Sequence, residues 1–188
     1  MSVINGIRIE VNQADLDYVN AKLTEAGVKV PRAIANVLNR VGRDVRRKLI
    51  TGARKTYTYK YGFRTSDITM KTASLAQLNV LLESEKKTHT LRRWKHTTPE
   101  SGVKASVVKG GVKPLVNEVG AKAFIMPLNG GLIAQRKKKS RKPLRVLRGP
   151  SVPKMFEMVY KGKRNAPMQP ETEKKLHDEL YAEVQKHI

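Results

Sequence analysis

Four histidines are the first residues to consider for chemistry, because imidazole suits acid–base catalysis and metal binding near neutral pH. They are His89, His96, His177 and His187. None has another histidine three or four residues away, the spacing that places two ligands on one helical face. His89 and His96 lie among basic residues, which disfavour a metal cation, and the other two are expected on the surface of a C-terminal helix. The sequence therefore predicts no metal site.

Other catalytic patterns are also missing. The chain has no cysteine, no Gly-x-Ser-x-Gly elbow and no phosphate-binding loop that ends in Gly-Lys-Ser or Gly-Lys-Thr. Carboxylates are scarce in the basic second half, which disfavours a two-metal nuclease centre. We expect a protein without enzymatic activity, catalytic residues or cofactor. A small basic enzyme or toxin remains as a minor alternative.

Lysine and arginine dominate the charged residues, with 38 against 16 aspartates and glutamates and a formal net charge of +22. Between Ser101 and Pro170 there are sixteen basic residues and two acids, Glu118 and Glu157. Such a field attracts anions and makes the isolated chain repel itself. The net charge of +22 is larger than the roughly 2–8 that keeps a small domain soluble. Nucleic acid, an acidic protein surface and an anionic membrane are the partner classes that fit.

The densest charge is a run of seven residues from Arg136 to Lys142, six of them basic. It lies between two strand-like segments, so we expect an exposed hairpin tip or extended loop at about 136–142. With two arginines that follow, it supplies the candidates for contact with DNA or an acidic partner. These are Arg136, Lys137, Lys138, Lys139, Arg141, Lys142, Arg145 and Arg148.

Three tyrosines alternate in another basic stretch, from Lys55 to Arg64: Tyr57, Tyr59 and Tyr61. Tyrosines next to cations can stack on nucleobases. More often they pack on a sheet face or line a protein interface. The sequence leaves both interpretations open.

Helices are the clearest elements that could position these residues. Apolar residues at intervals of three and four predict a long helix from Pro31 to about Ala53. A second stripe predicts a C-terminal helix that begins near Pro170. Before them, Asp15 is expected to cap a shorter helix that Gly27 ends. The two stripes consist of Ile34, Val37, Leu38, Val41, Val45 and Leu49, and of Leu176, Leu180 and Val184.

Between the helices, short alternating segments predict strands, and Asn129-Gly130-Gly131 predicts a hairpin turn. A shorter alternation, Ile7, Ile9 and Val11, predicts a strand near the N-terminus. No apolar run approaches the ~20 residues that span a membrane. We expect one α+β domain over 1–188: an antiparallel sheet of four to six strands packed against the long N-terminal helix and the C-terminal helix.

The order of several pieces resembles that of phage minor tail protein Z and its prophage relatives. The pieces are the basic helix Arg32–Ala53, the step Thr56-Tyr57-Thr58, the segment 120–125 (Gly-Ala-Lys-Ala-Phe-Ile) and the segment 145–155. The last is the most specific, because it resembles the Leu-x-Gly-Pro-Ser-Val-Pro-x-Met stretch of the relatives. Its motif is expected to connect rigidly to a helix at 155–160. The motif residues are Gly149, Pro150, Ser151, Val152 and Pro153. The N-terminal strand at 3–11 has no counterpart.

The resemblance implies a non-catalytic structural role at the head-proximal end of a phage tail, in tail completion and joining to the head. Implied partners are tail terminator, tube and head–tail connector proteins, further copies in a six-fold ring, and double-stranded DNA bound without base specificity. The implied location is the virion, and the host cytoplasm during assembly, with no membrane. A general nucleic-acid-binding protein, ribosomal or nucleoid-like, is the alternative, favoured by charge and the tyrosines.

Overall fold

A computed structural model describes residues 6–86, 88–127, 131–162 and 166–188. Within these ranges the helices are α1 (Gln13–Glu25), α2 (Val30–Thr56), α3 (Val152–Tyr160) and α4 (Met168–Gln185). The strands are β1 (Gly6–Glu10), β2 (Thr69–Lys71), β3 (Asn79–Glu83), β4 (Thr88–Thr90), β5 (Lys95–Thr97), β6 (Lys104–Ser106), β7 (Lys113–Pro114), β8 (Phe124–Met126), β9 (Leu132–Arg136), β10 (Leu144–Val146) and β11 (Arg148–Ser151). The predicted α+β class, with a long N-terminal and a C-terminal helix, is confirmed.

Helix α2 is the centre of the packing. Its predicted apolar stripe is buried along its whole length, because residues three and four apart share one helical face. Pro31 lies in the first turn, where a missing amide hydrogen costs nothing. At Gly42 a β-carbon would lie 2.8 Å from a methyl of Val80, so α2 approaches β3 too closely for a larger residue.

The strands do not form the single sheet of four to six strands that the sequence predicted. In the described chain they form small antiparallel sheets in the orders β1-β3-β2, β5-β6-β7, β10-β9-β8 and β11-β4. The strands are two to five residues long, and a 3-10 turn at Leu91–Arg93 separates β4 from β5. At the end of β7, Pro114 has no amide hydrogen to continue a ladder. Strands this short form few hydrogen bonds each, and they pair in separate groups of two or three instead of one continuous sheet.

The predicted hairpin pairing is confirmed for its strands. β8 pairs with β9 in antiparallel register, with Ile125 opposite Ile133. The predicted turn residues Asn129 and Gly130 lie outside the described residues, as does the part of the predicted N-terminal strand before Gly6.

The N-terminal cap of α1 differs from the prediction. Asn12, not Asp15, occupies the cap position, and its side-chain oxygen accepts the Asp15 amide at 2.8 Å. Asp15 lies in the first turn, where a carboxylate is stabilised by the helix dipole. Gly27 follows the end of the helix with φ +70°, the left-handed conformation that favours glycine.

Candidate interaction surface

The predicted basic tract lies at the tip of a hairpin. β9 pairs with β10, with Arg136 opposite Leu144, and the connection closes where the Lys137 amide donates to the Pro143 carbonyl at 3.1 Å. All eight candidate cations of the tract and its flanks are exposed. The expectation of an exposed hairpin tip is confirmed. We call β9, β10 and the residues between them the basic hairpin.

Two amide side chains fasten the basic hairpin to the rest of the protein. Gln135, 9% exposed, donates to the carbonyls of Leu115 and Ala121 at 3.3 and 2.8 Å. Asn117 donates to the Arg136 carbonyl at 2.8 Å and accepts the Ala121 amide at 2.8 Å. A buried amide is retained only when its hydrogen bonds are made, so these contacts fix the direction of the hairpin. Nothing in the sequence spacing singles out these two residues.

The motif that carries the resemblance anchors the other end of the hairpin. Gly149, Pro150 and Ser151 belong to β11, which pairs with β4, and the register shifts between Arg148 and Ser151. A β-carbon on Gly149 would lie 2.3 Å from Nε1 of Trp94, whose side chain is fully buried. The glycine therefore lets this strand lie directly against the indole.

The last two residues of the motif, Val152 and Pro153, form the start of helix α3, whereas the sequence predicted that they precede it. Val152 begins the helix three residues before the predicted start at Met155, and Pro153 lies in the first turn. Most apolar side chains of α3 are buried, Met155 fully, and Met158 is half-buried. The connection is thus a strand that turns directly into a buried helix.

Several carboxylates of helices α2 and α4 form ion pairs with cations of the same two helices. Lys48 Nζ lies 2.6 Å from Glu171, and Lys175 Nζ lies 2.7 Å from Asp44. Arg40 pairs with Glu179. Lys175 lowers the pKa of Asp44, and Glu171 raises the pKa of Lys48. Several charges of α2 and α4 are therefore paired between the two helices.

The basic hairpin has no such partners. In the described ranges none of its seven cations, nor Arg148, forms an ion pair; Arg148 instead donates to the Thr88 hydroxyl at 3.2 Å. Of the two acids in 101–170, Glu157 is bound by Lys154 and Lys161, which hold its pKa at about 2. Exposed, closely spaced cations without internal partners are suited to phosphates or external carboxylates.

The three alternating tyrosines have different surroundings. Tyr57 is buried and bridges to Val108, Tyr59 is half-buried, and Tyr61 is 63% exposed. The guanidinium carbon of Arg93 lies 5.1 Å from the centre of the Tyr61 ring. Packing on a sheet face therefore accounts for Tyr57 but not for Tyr61.

His177 has a partner that its sequence position did not indicate. Its Nδ1 lies 2.7 Å from Oδ1 of Asp15, whose side chain is 8% exposed. Its ring packs on Tyr181, which stacks on Tyr18 at 4.3 Å between centroids. This contact joins α4 to α1, 162 residues away along the chain.

A cavity of about 670 Å³ lies between β1, α3 and α4. Its lining combines apolar side chains such as Leu82 and Phe156 with charged side chains, of which Arg8 pairs with Glu10 at 3.4 Å. Among the described residues, no three histidine, aspartate or glutamate side chains are grouped to hold a metal ion. In the same part of the chain, no helix combines the length and apolarity that crossing a bilayer requires.

Comparison of the chain with protein-family models, curated proteins and solved structures found no match.

Proposed function

We propose that this chain is a structural tail-completion protein of a tailed bacteriophage, which acts by non-catalytic contacts at the head-proximal end of the tail. The observation that carries the proposal is the continuity of two features. The segment 145–155, the most specific part of the resemblance, begins in β10 of the basic hairpin and continues through β11 into α3. The residues that resemble the family therefore hold the surface that has the chemistry to bind an anionic partner.

The chemistry of that surface sets the kind of contact. Lysines and arginines on an exposed loop neutralise phosphates without reading bases, and acidic faces of terminator, tube or connector proteins would be bound in the same way. A six-fold ring of this chain would bring together copies that each carry +22. Repulsion between them has to be offset by DNA in the channel or by acidic neighbours.

The proposal is tested by changing the six cations of the 136–142 run to serine or glutamine. These side chains are exposed, so folding should be retained. In the phage, infectious particles should fall and unattached heads and tails should accumulate. A matched control exchanges lysine for arginine and arginine for lysine at the same positions, keeps the charge and should assemble normally. Undiminished yields from the uncharged variant would refute the role of the hairpin.

The purified protein distinguishes a DNA partner from an acidic protein. For each phosphate contact removed, the slope of log affinity for duplex DNA against log salt should become less negative by about 0.9, up to about 5 for all six cations. An unchanged slope, together with failed head–tail joining, would assign the basic hairpin to an acidic protein. An unchanged slope with normal joining would leave it without either partner and contradict the proposal.

A further inference from the structure

The surroundings of Tyr61 hold aromatic rings and cations that the proposed tail role does not use. Tyr59 lies 5.9 Å from Tyr61 and stacks on His89 at 5.2 Å, with 26° between the ring planes. Arg93 lies over Tyr61 and contacts His89 through Nη1 and Nδ1 at 2.9 Å. We call these four side chains the aromatic patch.

The aromatic patch is built on the core. Tyr59 lies 5.2 Å from the ring of Trp94 and 5.5 Å from that of Phe63, both almost fully buried. The amide of Lys60 donates to the Arg93 carbonyl at 2.8 Å. This hydrogen bond joins the segment that carries Tyr59 and Tyr61 to the segment that carries Arg93. The exposed ring of Tyr61 is thus presented by a rigid support, and little ordering is needed when a ligand stacks on it.

Exposed cations lie close to the patch residues along the chain. They are Lys60, Arg64 and Lys95, and none of them is ion-paired in the described part of the chain. Arg92 is not available in the same way, because its guanidinium donates to the Gly131 carbonyl at 2.9 Å. The adjacent carboxylate of Asp67 accepts the backbone amide of Arg64 at 2.7 Å. Phosphates or carboxylates would satisfy the cations alone, but an exposed ring with an arginine stacked on it also offers a flat surface to a base.

We propose that the aromatic patch binds single-stranded nucleic acid, with an unpaired base stacked on Tyr61 and Arg93 and the phosphates beside the neighbouring cations. Bases of a duplex are already stacked on one another, so the patch distinguishes a single strand from a duplex. This inference does not depend on the tail role and is tested with the purified chain alone.

The test compares a labelled thymidine oligonucleotide of about 15 residues with an abasic strand of the same length and charge, by fluorescence anisotropy. Because stacking on an aromatic side chain is worth about 1–3 kcal/mol per base, the thymidine strand should bind roughly 5- to 150-fold more tightly. Equal affinities would mean that only phosphates are bound and would overturn the proposal.

Variants test whether the difference in affinity between the two strands comes from the aromatic patch. Tyr61→Ala should remove the difference between the two strands without changing the affinity for a duplex, and Tyr61→Phe should keep it. Leu75→Ala, which removes an apolar side chain that is 66% exposed elsewhere, is the matched control and should behave like the parent. If Tyr61→Ala keeps the preference for bases, the patch is not the binding site. If it leaves both affinities unchanged but impairs assembly, the patch is a protein interface, and the proposal is equally overturned.

Discussion

Gly149 is the residue whose replacement tests the packing of the motif most sharply. In Gly149→Ala the new methyl group would lie 2.3 Å from Nε1 and 2.5 Å from Cε2 of Trp94. The indole cannot move aside easily, because it is fully buried and packs against Tyr57 and Tyr59 at 6.4 and 5.2 Å between ring centroids. Overpacking of a core costs about 1–3 kcal/mol, and we expect the upper end.

Thermal unfolding followed by circular dichroism measures this cost. A loss of about 3 kcal/mol in a domain of this size lowers Tm by roughly 6–12 °C. Gly111→Ala is the matched control, because a β-carbon at Gly111 meets nothing within 4 Å and φ there is not left-handed. That variant should melt like the parent or slightly higher, since alanine restricts the unfolded chain.

A double-mutant cycle with Trp94→Phe assigns the cost to this contact. The smaller ring removes the indole atoms that the methyl group meets, so Gly149→Ala should cost less in the Trp94→Phe background, with a coupling of about 0.5–3 kcal/mol. A Gly149→Ala variant that melts with the parent, or a cost that is identical in both backgrounds, would refute this account of the motif.

Two further predictions concern helix α3. Pro150→Ala and Pro153→Ala together should lower the free energy of unfolding by about 1–2 kcal/mol, because each proline restricts the unfolded chain; unchanged melting and assembly would show that the segment is not structural. Glu157 has its pKa lowered to about 2 by Lys161 and Lys154, so its contribution to stability is present above about pH 4.5 and is lost as pH falls toward 2. In Glu157→Gln the free energy of unfolding should depend less on pH in this range, by less than ~1 kcal/mol, because the Glu157 side chain is more than a third exposed. A pH dependence identical to that of the parent would contradict this role of Glu157.

The helices and the exposed tract were predictable because their signals are local. The apolar stripe of α2 repeats every three to four residues from Ile34 to Leu49, about four helical turns. Its position could therefore be predicted without knowing which elements cover it. The tract from Arg136 to Lys142 was predictable as a tip because six neighbouring like charges cannot be buried together. The motif around Gly149 was singled out by a resemblance, but its packing against Trp94 was not predicted.

The sheets and the side-chain contacts of the surface were not predictable, because they join distant parts of the chain. β1 pairs with β3 across two helices, and β11 pairs with β4 some 60 residues earlier. Short strands carry too little alternation to specify such partners. The hydrogen bonds of Gln135 and the pairing of His177 with Asp15 depend on that arrangement, so neither contact was predicted from the sequence.

Deletion of the gene from the genome that carries it, with negative-stain electron microscopy of the induced lysate, tests the central claim most directly. The account predicts filled heads beside unattached tails, with joined particles restored when the chain is supplied from a plasmid. Normally joined particles without the gene, or a lysate that contains no phage particles even when the gene is intact, would contradict a role in tail completion.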